Sequence, residues 1–228
     1  MSRLNELWHR GAEDDWEEAV RQYWTIPGVS SQRALEEQMD HIHESRMTVL
    51  NDVDRFYEFL KDELYPWKMD RQHITPQQGN LDRYHRSTPG GIDRLRHSLL
   101  TNVSRWGNVG VDGVYKRMSV VGGMGIPVAS GCLALLFPEH FGTLDRFCLR
   151  GLLTVEGHTI TEYLRDTEEV PHNPDHFFDK YEDALRLHVA KLITVLYREK
   201  ASELNARYDT AVWTPRRVEK VVWTLRDS

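Results

Sequence analysis

Cysteine is scarce. The chain of 228 residues has two, Cys132 and Cys148, which argues against a disulfide framework and leaves no four-cysteine iron–sulfur cluster within one chain. Long apolar runs are missing too, since no stretch approaches the ~20 residues that cross a bilayer. The N-terminus, MSRLNELWHRGAEDDWEEAV, is too acidic and polar for a secretory signal, so the cytoplasm is the expected compartment. Neither a strand-type alternation nor an internal repeat is found. Eleven histidines are present, yet HExxH and paired CxxC are not. The densest sets, His41 with His43, His172 with His176, and His73 and His85, do not converge on a ligand spacing, and no metal is expected.

What is present is a globular composition, 40% hydrophobic and 28% charged, with helical periodicity almost throughout. The expected class is all-α. The pattern predicts helices over 30–50 with a cap at Ser30 or Ser31, and from a cap at Asn51 to a stop at Pro66. Residues 66–90, with Pro76, Gly79 and Pro89, read as a polar connecting loop. Helical pattern returns from Gly90 to Trp106, over Val111–Val121 and over Ile126–Phe137. It appears again after Asp145, along 175–204, and from an N-cap at Thr214 with Pro215 first in the helix. The net charge of −6 is uneven: residues 1–64 carry −8 and residues 65–118 carry +5. Chance fluctuation is the simpler reading of that asymmetry; one positive face on a negative molecule is the other. The chain divides into an acidic region (1–64), a basic loop and helices (65–118), a hairpin and acidic turn (119–153), and C-terminal helices (154–228).

One segment stands out: GGMGIPVASGCLALLFPEHFGTLD, residues 122–145. Glycines around Met124 permit positive φ and close backbone approach. The helix opening near Ile126 offers amides that can hold an anion, with Pro127 tolerated in its first turn. Ala129, Ser130 and Gly131 are small enough for the preceding helix to pack closely. A second turn breaks at Pro138, runs over Gly142 and reaches Asp145, which by itself is a natural N-cap. A glycine-rich connection between core helices explains the first turn equally well.

In the order of turn, alanine, apolar helix, second turn and aspartate, the segment resembles the helix-hairpin-helix DNA glycosylases. The interval from Gly125 to Asp145 fits their adenine-mismatch branch without a gap, and Arg150 falls where that branch carries a basic residue. The close match covers about 30 residues. The resemblance implies two interleaved helical lobes with a hairpin and a Gly/Pro-Asp loop between them. Gly123, Met124, Gly125 and Ile126, with Lys116 and Arg150, would hold DNA phosphates, and Asp145 would stabilise the sugar cation as the glycosidic bond breaks. Strand-cutting relatives place a nucleophilic lysine where this chain has Pro127. A monofunctional enzyme that leaves an abasic site is therefore implied, in base-excision repair or in defence against phage DNA with modified bases. The expected partner is double-stranded DNA with a flipped nucleotide, bound by a monomer. No cofactor is expected, apart from a monovalent cation that relatives sometimes hold at the hairpin.

Trp67, Lys68, Arg71 and Tyr84 in the basic stretch, and Trp106 near the hairpin, are candidate base or DNA contacts. For both tryptophans core packing is the favoured alternative. Trp8, Trp16 and Trp24 recur every eight residues and read as a core stripe. A non-catalytic hairpin module that kept the phosphate grip, and an all-α interaction protein without a DNA role, are the competing readings.

Overall fold

The computed structural model describes residues 2–69, 71–102, 111–121, 124–166 and 183–227. The protein is all-α, and no strand occurs among the described residues. The chain forms two compact units. One joins Met1–Arg33 to Pro138–Ser228, and the other is the continuous stretch Ala34–Phe137 inserted between them in sequence. These boundaries differ from the sequence divisions at 64, 118 and 153.

In the discontinuous unit, α1 (Arg3–Arg10) and α2 (Glu13–Tyr23) open the chain. Ser2 Oγ accepts the Asn5 amide at 3.1 Å, and Asp15 accepts the Ala12 amide at 3.0 Å, so each first turn satisfies donors that a helix start leaves open. The acidic first turn of α2 also suits the positive end of the helix dipole. α3 (Pro27–Ser30) is a single turn. After the insertion come α12 (Arg146–Leu152), α13 (Thr159–Asp166), α14 (Asp183–Tyr208) and α15 (Pro215–Thr224). α15 is the hub, packing on α2, α12 and α14. Thr214 caps it as expected, accepting the Arg217 amide at 3.2 Å, with Pro215 in its first turn.

Trp8 and Trp16 are fully buried, 6.0 Å apart, and Trp16 meets Trp213 edge-on at 5.7 Å. They do not form one stripe, because α1 ends between them. Trp24, only half-buried, is the C-cap of α2.

The inserted unit runs through α4 (Arg33–Asp40), a 3-10 turn (Ile42–Ser45), α5 (Arg46–Asn51), α6 (Val53–Glu58), a π-helical turn (Phe59–Leu64) and α7 (Tyr65–Lys68). α8 (Arg71–Ser87), α9 (Gly91–Asn102), α10 (Val111–Ser119) and α11 (Ile126–Leu136) follow. Four expectations shift here. Ser30 and Ser31 close α3 rather than open a helix, and α4 begins at Arg33. The cap of α6 is Asp52, not Asn51: its carboxylate takes the Asp54 and Arg55 amides at 2.8 and 3.0 Å. Pro66 does not end the helical path: the chain stays helical from the π turn into α7, with Pro66 in the first turn of α7.

The fourth shift is the largest. The expected loop 66–90 is mostly the 17-residue helix α8, with Pro76 inside it. An interior proline costs about 3 kcal/mol and Gly79 about 1 kcal/mol more. Tertiary bonds offset that cost. Leu81 is fully buried, Gln78 donates to the Lys61 carbonyl at 2.9 Å, and Asp82 accepts from the Tyr57 hydroxyl and the Lys61 ammonium. The Tyr57 bond, then the Lys61 bond, holds the Asp82 carboxyl below its usual range.

α11 is apolar nearly all round and buried from Val128 to Leu136, which makes it the core helix of this unit. A side chain on Gly131 would meet the Trp67 ring at 3.0 Å. At Gly131 the close neighbour is therefore α7, while α10, the preceding helix, also packs on α11.

Candidate functional site

The two halves of the singled-out segment fall in different units, Gly125 in Ala34–Phe137 and Asp145 in the other. Gly122 and Gly123 lie outside the described residues, so the expectation for Gly123 is not addressed. Gly125 caps α11 with φ −68° and ψ 173°, a backbone any residue adopts. Its carbonyl accepts the Val128 and Ala129 amides at 3.1 and 2.9 Å. A side chain there would meet nothing nearer than Pro127 Cδ at 3.7 Å. Open space, not positive φ, distinguishes this glycine. Gly125 is exposed, while the Met124 and Ile126 side chains are buried. Only the backbone of these residues is suited to an external ligand, as in the phosphate-gripping expectation. Lys116 is exposed in the last turn of α10 beside Arg117, where cations also suit the negative end of the helix dipole.

In the other unit, Asp145 Oδ1 accepts the Phe147 and Cys148 amides, each at 3.0 Å, and so caps α12. The aspartate is half-buried at the end of a turn that is itself fully packed: Phe141, Gly142, Thr143 and Leu144 are all buried. Arg198 of α14 donates Nε to the His140 carbonyl at 2.8 Å and lies 5.1 Å from the Phe141 ring. Gly142 has no room for a Cβ, which would sit 2.7 Å from Glu219 Cβ and 2.9 Å from the Pro215 carbonyl.

Beneath this turn is an ionisable cluster that sequence reasoning missed. Glu219, 1% exposed, pairs with Arg216, 6% exposed, and accepts from the Cys148 thiol at 3.6 Å. Burial, with Cys148 and Glu219 nearby, pushes the Tyr197 hydroxyl well above its ordinary value and keeps it neutral. The available signal was Arg216 and Glu219 three residues apart on a helix, a spacing that usually marks a solvated pair. Only the fold buries it.

The remaining candidates scatter. Arg150 pairs with Asp227 at 3.2 Å. Trp67 is half-buried against Gly131, with the Lys68 ammonium 5.5 Å from its ring. Arg71 is exposed at the start of α8, and Tyr84 is half-buried beneath Gly91, against which a Cβ would meet its ring at 2.9 Å. Trp106 lies outside the described residues, as do His172 and His176. Among the described residues, no group of three or more His, Cys, Asp or Glu side chains is arranged to hold a metal. No helix among them is long and apolar enough to cross a membrane. Comparison with protein-family models, with curated proteins and with solved structures gives no match.

Proposed function

We propose that the protein is a monofunctional DNA N-glycosylase of the helix-hairpin-helix type, in repair or in defence against modified phage DNA. The observation that carries this reading is the setting of Asp145. Its carboxylate accepts two backbone amides at the end of a buried turn, twenty residues beyond an exposed glycine that opens a buried helix. A transition state with positive charge on a sugar is best stabilised by a carboxylate that does not reorganise. In the proposed reaction the C1′–N bond breaks with its electron pair leaving on the base. Water then adds to C1′ and its proton passes to the departing base, giving the free base and an abasic site. Pro127, half-buried in the first turn of α11, offers no amine for a Schiff base, so strand scission is not part of the reaction.

A second reading has its own observation. The two hydrogen bonds that Asp145 accepts from backbone amides are those of an ordinary N-cap, which suits a DNA-binding module without chemistry. The two separate on incubation with duplexes bearing a panel of damaged and modified bases, followed by alkaline cleavage. Wild type should release a base and leave an alkali-labile site, and Asp145→Asn should not. Equal release by both proteins removes the catalytic role. Binding by both without release establishes the module, and strand cutting without alkali contradicts the monofunctional assignment.

A further inference from the structure

A cavity of about 720 Å³ opens in the discontinuous unit beside α1, and Glu156 and Gly157 form one of its walls. It shares no residue with the Asp145 turn. Three side-chain bonds staple this wall to α1. The Ser2 hydroxyl donates to Thr154 Oγ1 at 2.8 Å, Asn5 Oδ1 accepts the Glu156 amide at 2.8 Å, and His9 Nε2 donates to the Glu156 carbonyl at 2.6 Å. Gly157 turns the wall with φ +68°, in the left-handed region that favours glycine. At the other end of α1, Gly11 has no room for a side chain, since a Cβ there would sit 2.3 Å from Leu7 Cδ1 and 2.7 Å from the Leu7 carbonyl.

Asn5 and Leu7, 3% and 7% exposed, are the deepest lining residues. The Glu156 amide is a donor, so the Asn5 atom facing it is the oxygen and the carboxamide NH2 lies on the other side. That NH2 has no partner among the described residues. A nearly buried donor without an acceptor is costly to keep, and a carbonyl oxygen entering the cavity satisfies it. The charged lining residues are all exposed at the rim, with Arg3, His9 and Arg10 against Glu6, Asp15 and Glu156. Opposite in sign and screened by water, they favour neither a cation nor an anion. The floor therefore sets the chemistry: one donor, one aliphatic side chain and two glycines that project nothing. Such a lining, apolar with a single placed polar group, suits a flat neutral ring that carries a carbonyl.

We infer that the cavity beside α1 is a small-molecule site for a neutral, planar, carbonyl-bearing ring of the lactam or free-nucleobase kind, whose oxygen accepts from the Asn5 carboxamide. The site stands apart from the DNA-acting reading above and does not depend on it.

The test is a proton–nitrogen NMR titration of the full chain with uracil and 2-pyridone, and in separate arms with benzoate, benzamidine and leucine as anionic, cationic and zwitterionic probes. The Asn5 side-chain NH2 signal is identified by its loss in Asn5→Asp. Uracil and 2-pyridone should shift that signal and the Gly157 amide saturably, and the three charged probes should bind at least about tenfold more weakly. Asn5→Asp keeps an acceptor for the Glu156 amide but removes the donor, so its affinity for uracil, read on the Gly157 amide, should fall about tenfold. The Asn5 signal of wild type carries the result even where a melt shows Asn5→Asp to be unfolded. An Asn5 signal that neither neutral ring moves overturns the inference. So does a charged or zwitterionic probe that binds as tightly, or wild-type affinity in a folded Asn5→Asp. None of these outcomes touches the role of Asp145, which base release tests separately.

Discussion

Gly142 packs directly on Glu219: a Cβ on the glycine would lie 2.7 Å from the Cβ of the glutamate. The turn that ends in Asp145 and the helix α15 are thus in contact at backbone distance, through a residue with no side chain. Gly142→Ala must push either the turn or α15 outward, because the Pro215 carbonyl at 2.9 Å cannot rotate away. The expected cost is about 1–3 kcal/mol of stability. Thermal unfolding at matched protein concentration checks it, and an unchanged midpoint would show that the turn is looser than described.

Asp145 separates two effects that are often confounded. Alanine removes the acceptor for the Phe147 and Cys148 amides and should cost about 1 kcal/mol, whereas asparagine still caps the helix and should cost only a few tenths. Both variants should lose base release if the glycosylase reading is right. A stable Asp145→Asn protein without activity places the defect in chemistry; one as unstable as Asp145→Ala would show that charge, not capping geometry, matters for the fold.

The buried Arg216–Glu219 pair behaves as a unit. Glu219→Ala strands a guanidinium that is nearly sealed from water, at an expected cost of about 3–5 kcal/mol. Replacing both residues with leucine or methionine should recover most of that loss, since neither charge is then left alone. Denaturant titration of the two single variants and the double gives the coupling directly, and additive losses would refute it.

His158 supplies the pH dependence. Burial holds its imidazole below the ordinary value, opposed by Glu199 and Glu203 and reinforced by Lys200 and His9. Its Nδ1 accepts the Ile160 amide at 3.3 Å, a bond that requires an unprotonated nitrogen. The unfolded imidazole takes up a proton near pH 6.5 that the folded one refuses. Stability from this group is therefore present above that pH and is lost as the pH falls below it, until the folded imidazole also protonates. His158→Asn keeps an acceptor and removes the titration. The variant should lose less melting temperature between pH 7 and pH 5 than wild type, and parallel curves would count against the assignment.

Local grammar was readable without a structure. Thr214 and Pro215 open α15, Asp145 opens α12, and the apolar run from Ile126 forms α11, because each depends on neighbours three or four residues away. The span 66–90 was misjudged for the opposite reason. Proline and glycine argue against a helix locally, and the partners that outweigh them, Tyr57 and Lys61, come from another helix.

Sequence alone thus determined the all-helical class, the placing of most helices and the candidate aspartate. These follow from periodicity and capping, which are short-range properties of the backbone. Tertiary structure decided which charges are buried and which aromatic residues meet cations. Glu219 and Arg216 read as a surface pair until α15 packs against α2, α12 and α14. Tyr23, Phe147 and Trp223 are far apart in the chain, and only folding brings their rings together. Burial and long-range contact are properties of the packed unit, and no window of residues contains them.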